Sequence, residues 1–406
     1  MRTFLAGADV VLADLVAGGL TVVIEGDRIA DLVTGPREIG EREQRVDLTG
    51  AIVVPGFVDV HVHGVLGVDT LDGPGSIDAI ARQLPRFGVT AFCPTTVACA
   101  PEALDAVLRD VADARTRADR GPAARVLPAH LESNFLNPEY AGAQPVDCLR
   151  TFRPGAPARA GDAFGARDIL DVIDRRRADV GIVTLAPEID GGLELVRTLA
   201  ALGVRVSIGH SGATYDEARA AIGAGVRHAT HLFNRMRPMT HRDPGVVGAV
   251  LGSEEVAAEL ICDGRHVHPA MMRVAIAAKS AARVMAITDA TAGAGLPAGA
   301  RARLGGREIL VADVATLADG TLAGSVLTMD RAFACLVGPC GVDLADAARL
   351  CSTTPARELG LVGLGVIAPG AFADLTVLDG QFRPIATWVG GRQVWARGTS
   401  AHPAAS

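Results

Sequence analysis

Eight short apolar runs punctuate the middle of the chain, each ending in polar residues and most followed by a stretch of helical period. They are 52–60 (IVVPGFVDV), 89–97 (VTAFCPTTV), 125–131 (RVLPAHL), 180–186 (VGIVTLA), 204–209 (VRVSIG), 226–230 (VRHAT), 256–262 (VAAELIC) and 283–288 (RVMAIT). Between them, 101–118 (PEALDAVLRDVADARTRA) and 191–202 (GGLELVRTLAAL) repeat apolar residues at three- and four-residue spacing, the mark of an amphipathic helix. Near-continuous apolar runs alternating with helices read as parallel strands buried on both faces and joined by right-handed crossovers. Eight such units predict a closed, TIM-like (β/α)8 barrel over 55–364.

The two ends of the chain read differently. Short strand-like runs broken by tight turns fill the beginning (GLTVVIEGDRIADLV) and recur near the end (VIAPGAFADLTVLDG, IATWVGGRQVWARG). Neither end is long enough to enclose a core alone. Residues 1–54 and 365–398 are therefore expected to pair into one small β-sandwich domain beside the barrel. Residues 298–324 are expected to add a β-hairpin after the eighth strand, and the Ala/Pro/Ser tail 399–406 to be disordered.

Composition narrows the function. A net charge of −7 over 406 residues and a pI near 5.8 argue against a nucleic-acid partner, which calls for a basic surface. No run of eighteen apolar residues is present, so no membrane-spanning helix is expected, and the first residues lack a signal-peptide pattern. The seven cysteines are scattered without a CxxC pair, which points to the reducing cytoplasm rather than a disulfide framework.

The strand ends carry the chemistry. Alternate residues of a strand share a face, so His61 and His63 point together at the end of the first run. The third run ends in His130-Leu-Glu132, the fifth in His210-Ser211 and the sixth in His231-Leu-Phe-Asn234. The seventh leads to Asp263-Gly-Arg-His266 and the eighth to Asp289. Barrel active sites lie at the C-terminal ends of the strands. A lone buried histidine or a lone HxH says little, but five of the ten histidines (61, 63, 210, 231 and 266) fall at these ends. Imidazoles with a carboxylate suit zinc, and ferrous iron as an alternative, while leaving a position open for water. His61, Glu132, His210 and His231 are the expected ligands, with Asp289 as general acid/base. His130, His228, Asp59 and Glu188 are expected to pack around the site or support it.

Ordered blocks along nearly the whole chain resemble the N-acetylglucosamine-6-phosphate deacetylases of the amidohydrolase superfamily. They are PGFVDVHVHG (55–64), HLESNFLNPEYAGAQ (130–144), IGHSGAT (208–214), THLFNRMRPMTHRDPG (230–245), CDGRHVHP (262–269), TDATAGAG (288–295) and LAGSVLTM (322–329). The resemblance implies that Glu132, His210 and His231 bind metal, and that His61 and His63, with Asp289, join a centre of one or two ions bridged by Glu132. It implies Asp289 as proton shuttle and His266 as the group polarising the acetyl carbonyl. Asn234, Arg242, His266, Leu322, Ala323 and Gly324 match substrate contacts, Arg242 fitting the phosphate-binding arginine, and Ala143, Gln144 and Arg235 stand at substrate-contacting positions. The implied reaction releases acetate from N-acetylglucosamine 6-phosphate, and a homodimer is implied.

Three departures bear on the substrate. Glu132-Ser133-Asn134 replaces the usual Glu-Gly-Pro, Gly142-Ala143-Gln144 the usual Gly-Ala-His, and Arg235 a common alanine. They leave open N-acetylgalactosamine 6-phosphate or another N-acyl amine as substrate, and more remotely a non-catalytic metal-binding barrel. Lys279 is the only lysine and lies before the eighth strand, so the fourth strand cannot carry the carbamylated lysine of the dihydroorotase-like branch.

Overall fold

The computed structural model describes residues 2–35, 40, 43–117, 121–152 and 163–398; the expected disordered tail 399–406 lies outside them. Eight parallel strands form the barrel wall: β1 (Phe57–Val62), β2 (Val89–Thr96), β3 (Ala129–Glu132), β4 (Val180–Leu185), β5 (Arg205–Ile208), β6 (Val226–Ala229), β7 (Ala257–Ile261) and β8 (Val284–Ile287). Each pairs in parallel with the next. All residues of β1, β2, β3, β7 and β8 are buried, as expected of strands covered on both faces. The ring nearly closes between β8 and β1. The Asp289 N–H donates to the His61 carbonyl at 3.0 Å, and the Thr288 hydroxyl donates to Asp59 at 2.6 Å.

The helical stretches fall where the periodicity predicts, at Pro101–Thr116 and Gly192–Ala201. Two predicted strands are interrupted by proline. The run 125–131 splits into Arg125–Val126 and β3 around Pro128, which has no N–H for the ladder. The run 52–60 splits after Pro55, and its halves enter different sheets. Gly56 makes the crossing, because a side chain there would meet Thr90 at 2.3 Å.

Ile52–Pro55 joins a six-stranded sheet ordered Arg392–Ala396, Pro384–Val389, Leu375–Leu378, Ile52–Pro55, Asp9–Val11, Val16–Ala17. Both chain ends thus share one sheet, with Leu375–Leu378 antiparallel to Ile52–Pro55. A four-stranded sheet of Arg28–Thr34, Leu20–Glu25, Arg2–Ala6 and Glu43–Asp47 lies with it. Val22, Ile24, Ile29, Val53, Val377 and Trp388 from the two sheets share an apolar cluster, which fits a small β-rich domain. The hairpin expected at 298–324 is instead three antiparallel strands, Arg301–Leu304, Arg307–Val311 and Ala315–Thr316. A further turn at 317–320 returns the chain, and Thr316 bridges Leu322.

Arg125, at the barrel edge, clasps Asp374 beside the six-stranded sheet through Nε (2.6 Å) and Nη2 (3.0 Å). Asp374 also accepts the Gly390 N–H at 2.7 Å. Removing one partner of a fully buried pair costs roughly 3–5 kcal/mol. The Arg125 side chain keeps 25% exposure, which reduces that figure. Asp374→Ala is expected to lower unfolding free energy by about 2 kcal/mol, measured as a shift in the urea midpoint at unchanged slope.

Candidate metal centre

Strand geometry delivers the predicted side chains to one point. His61 occupies the end of β1, and His63 follows on the same face, their Nε2 atoms 3.2 Å apart. Glu132 ends β3. His210, His231 and Asp289 stand just past β5, β6 and β8 with φ of 47°, 31° and 50°. This left-handed conformation is uncommon outside glycine, though histidine and aspartate adopt it more readily than most residues. Such strain persists where the surrounding structure holds it, often at functional sites. Here it turns each side chain inward from its strand end.

Two triads share Glu132. In one, His210 Nε2 and His231 Nε2 each lie 2.8 Å from Glu132 Oε1 and 3.1 Å from each other. In the other, His63 Nε2 lies 3.5 Å from Glu132 Oε2, and His61 Nε2 4.0 Å from Oε1. Asp289 Oδ1 faces this second triad, 3.2 Å from His63 Nε2 and 3.4 Å from His61 Nε2.

The donor chemistry fits a cation. The His210 Nδ1–H donates to the Tyr140 carbonyl at 2.8 Å, which leaves Nε2 as the atom turned toward Glu132. The His61 Nδ1–H donates to Glu259 at 3.0 Å, and burial lowers the His61 pKa to about 4, so its Nε2 presents a bare lone pair. Imidazole Nε2 atoms and carboxylate oxygens therefore converge, a set that a positive ion satisfies once the imidazoles facing it give up their protons. The 3.1 Å separation is close to the about 3.3 Å between tetrahedral ligands on zinc at roughly 2.0–2.1 Å. The cluster draws positive charge, as protons on its imidazoles or as an ion in their place. Burial opposes charge on Glu132, but His210 and His231 outweigh it and hold the carboxyl well below its ordinary value. Burial likewise opposes charge on His231, yet Glu132 raises it to about 9. Asp289, buried too, is lowered by His61 and His63.

The centre forms the floor of a cavity of about 590 Å³. Residues 52–394 match the amidohydrolase family. The chain belongs to the amidohydrolase family. It is 36% identical over 373 residues to the N-acetylgalactosamine-6-phosphate deacetylase of Escherichia coli O157:H7, across 90% of this chain and 93% of that protein. It is 36% identical over 389 residues to the N-acetylglucosamine-6-phosphate deacetylase of Homo sapiens, across 92% and 90%. The crystal structure of N-acetylglucosamine-6-phosphate deacetylase from Pasteurella multocida aligns with a TM-score of 0.88 at 27% identity, covering 98% of this chain and 100% of that one.

In this amidohydrolase, His266 reaches the cavity with its Nδ1 held 2.6 Å from Asp263 Oδ2. Its Nε2 has no protein partner among the described residues. Burial works against protonation, and Asp263 outweighs it, raising the His266 pKa. When both nitrogens carry protons, Nε2 is a hydrogen-bond donor without a protein acceptor among the described residues.

The expected substrate contacts divide. Ala143, Asn234, Arg235, Leu322 and Gly324 line the cavity. Arg242 does not; it is exposed on the loop at 240–243. Ala323 is fully buried behind the wall. Gln144 lines the cavity, but its amide is already engaged. Its Oε1 accepts the Ala98 N–H at 2.8 Å, and its Nε2 donates to Glu132 Oε2. The Ser133 and Asn134 departures also prove internal. The Ser133 hydroxyl donates to the Thr184 carbonyl at 2.6 Å, and the Asn134 amide to the Cys99 and Cys148 carbonyls at 2.8 Å each. Arg237 pairs with Asp243 at 2.7 Å. Arg235 pairs with no carboxylate among the described residues, and its side chain packs over Gly142, where a Cβ would meet its Nε at 2.7 Å.

His130 stays out of the ligand set. Its Nδ1–H donates to the Val60 carbonyl at 2.9 Å, and its Nε2 accepts the Thr184 hydroxyl at 2.7 Å. Burial pushes its pKa down to about 4, so it is neutral. Glu188, past β4, takes Asn137, Ser211 and Gly212 and ties two cavity loops together. Lys279 donates to the Val250 and Ser253 carbonyls, remote from the centre. Glu259 was not foreseen, though a charged residue within the apolar run VAAELIC was a signal for it. His231→Asn is expected to weaken divalent-ion binding by more than the roughly 10–100-fold typical of losing a supporting partner. Titration of chelator-stripped protein with zinc checks this.

Proposed function

We propose that the chain hydrolyses the acetamide of N-acetyl-D-glucosamine 6-phosphate to glucosamine 6-phosphate and acetate, in amino-sugar catabolism. The observation carrying this reading is the convergence of the Glu132–His210–His231 triad, Asp289 Oδ1 and the free His266 Nε2 on one cavity. Glu132, His210 and His231 would hold one ion; His61, His63, Asp289 and the shared Glu132 would hold a second. A divalent ion, with zinc preferred over iron, supplies Lewis-acid polarisation and lowers the pKa of its water to about 7. Asp289, kept ionised by its histidine neighbours, accepts the water proton and hands it to the departing sugar nitrogen. His266, protonated against Asp263, donates from Nε2 to the acyl oxygen as charge builds there.

Substrate binding falls to Asn234, Ala143, His266 and the wall at Leu322–Gly324. Arg235 takes the phosphate, the part the family pattern gives to Arg242; its unpaired guanidinium suits bidentate recognition of an anion. N-acetylgalactosamine 6-phosphate is the second reading, favoured by the equal 36% identity to a relative named for that sugar. The proposal includes a homodimer in the cytoplasm. No helix among the described residues is long and apolar enough to cross a membrane. It also includes a barrel over 55–364 flanked by a small β-domain made of 1–54 and 365–398.

Acetate release from a panel of phosphorylated and unphosphorylated N-acetyl sugars tests the reading; no release from any phosphorylated amino sugar by metal-loaded protein rejects it. Asp289→Asn should lower kcat by about 10²–10⁴-fold with the fold retained. Arg235→Ala should raise KM for the phosphorylated sugar about tenfold or more, equivalent to the roughly 1.5–3 kcal/mol of a hydrogen bond to a charged group, and leave the unphosphorylated sugar unaffected. Asp263→Asn removes the group that raises the His266 pKa, leaving burial to lower it. The protonated donor is then lost at lower pH, so the alkaline limb of the kcat profile should move to lower pH.

A further inference from the structure

Glu259 sits in the middle of β7, between apolar neighbours and fully buried. It approaches the metal centre from the barrel interior, behind the ligand set. Its Oε2 accepts the His61 Nδ1–H at 3.0 Å and faces the His231 backbone N–H at 3.4 Å. Its backbone carbonyl accepts the Leu232 N–H at 2.8 Å. The side chain thus makes its close contact with a candidate ligand on β1, while the left-handed turn carrying His231 past β6 is braced chiefly by the backbone carbonyl, which a side-chain substitution leaves in place.

Fold stability does not account for this carboxylate. Its Oε1 has no hydrogen-bond partner among the described residues. The nearby His130 Nδ1, 3.7 Å away, already donates to Val60. A buried, half-satisfied carboxylate costs free energy that an amide or an apolar side chain of similar size avoids. What the carboxylate adds is local. By accepting from Nδ1 it fixes the His61 tautomer and ring, and so points the Nε2 lone pair at the space shared with His63 and Asp289. Asymmetry between the triads follows. His61 depends on this partner, whereas His210 is oriented by the Tyr140 carbonyl.

We propose that Glu259 is a positioning residue that, by fixing His61, sets the affinity of the His61–His63–Glu132 half of the centre while leaving the Glu132–His210–His231 half largely untouched. This rests on reading these residues as a metal centre, but it is tested by ion binding rather than by sugar turnover. Full-length protein stripped with chelator and titrated with Co(II) gives stoichiometry and stepwise affinity from the visible spectrum. The wild-type chain should take two ions. Glu259→Leu should weaken the second by about 10–100-fold and leave the first within about threefold. Glu259→Gln, whose carbonyl still accepts from Nδ1, should fall between. Acetate release by both variants should show lower kcat at near-constant KM.

Glu259→Gln is nearly isosteric and relieves a buried charge, so its urea midpoint should not fall, which keeps the test open if Glu259→Leu fails to fold. Wild-type stepwise affinities in Glu259→Gln, equal weakening of both ions, or a wild-type chain that takes only one ion would each overturn the proposal. Loss of acetate release from every sugar with two-step Co(II) binding intact would instead count against the proposed reaction alone.

Discussion

Too many acceptors meet in too little space at the mouth of this barrel. Imidazole nitrogens from β1 and from the turns past β5 and β6 surround both oxygens of Glu132, and His61 and His210 are held with Nε2 inward by hydrogen bonds from their far nitrogens. Such a cluster draws positive charge, held as a proton on His231, whose pKa Glu132 raises to about 9, or as a cation in its place. Much of the surrounding architecture serves to hold these like-seeking atoms in place. Left-handed turns aim His210, His231 and Asp289, Glu188 ties the loops at 137 and 211, and Gln144 steadies the second Glu132 oxygen.

Beneath the mouth, polarity continues in an ordered way. The Val60 carbonyl can only accept, so His130 donates from Nδ1 and accepts at Nε2. That choice sets the direction of hydroxyl bonds running from Ser207 through Thr230 and Thr184, each 2.6 Å long. A chain with one permitted direction resists rearrangement, because reversing any link strands a buried donor or acceptor. The centre therefore stands on a rigid polar floor rather than on an apolar plug.

The barrel and most of the centre were legible in the sequence because both follow from short-range periodicity. Strand alternation put His61 and His63 on one face, and the ends of β3, β5, β6 and β8 delivered the rest. What was not legible depends on long-range register. Gln144 reads as a loop residue near substrate until Ala98, distant in sequence, fixes its amide toward Glu132. Ser133 and Asn134 read as substrate grips until their carbonyl partners are known. Arg242 matches a pattern, yet the loop carries it to the surface, and Arg235 takes the cavity position because Gly142 leaves room. The run 52–60 hid a change of sheet at Pro55-Gly56, since an apolar pattern is the same in either sheet.

That change of sheet has a consequence for how the chain is made. Ile52–Pro55 runs into β1, the strand bearing His61, and its antiparallel partner Leu375–Leu378 lies close to the other end of the sequence. During vectorial synthesis the strand leading into His61 can pair with Asp9–Val11 at once but waits for its second neighbour until Leu375–Leu378 has left the ribosome. Contacts of such long sequence separation are slow to form and leave edges exposed meanwhile. Nascent chains stalled before residue 375 should thus display one open strand edge directly beside the strand that carries His61, a foothold for chaperones.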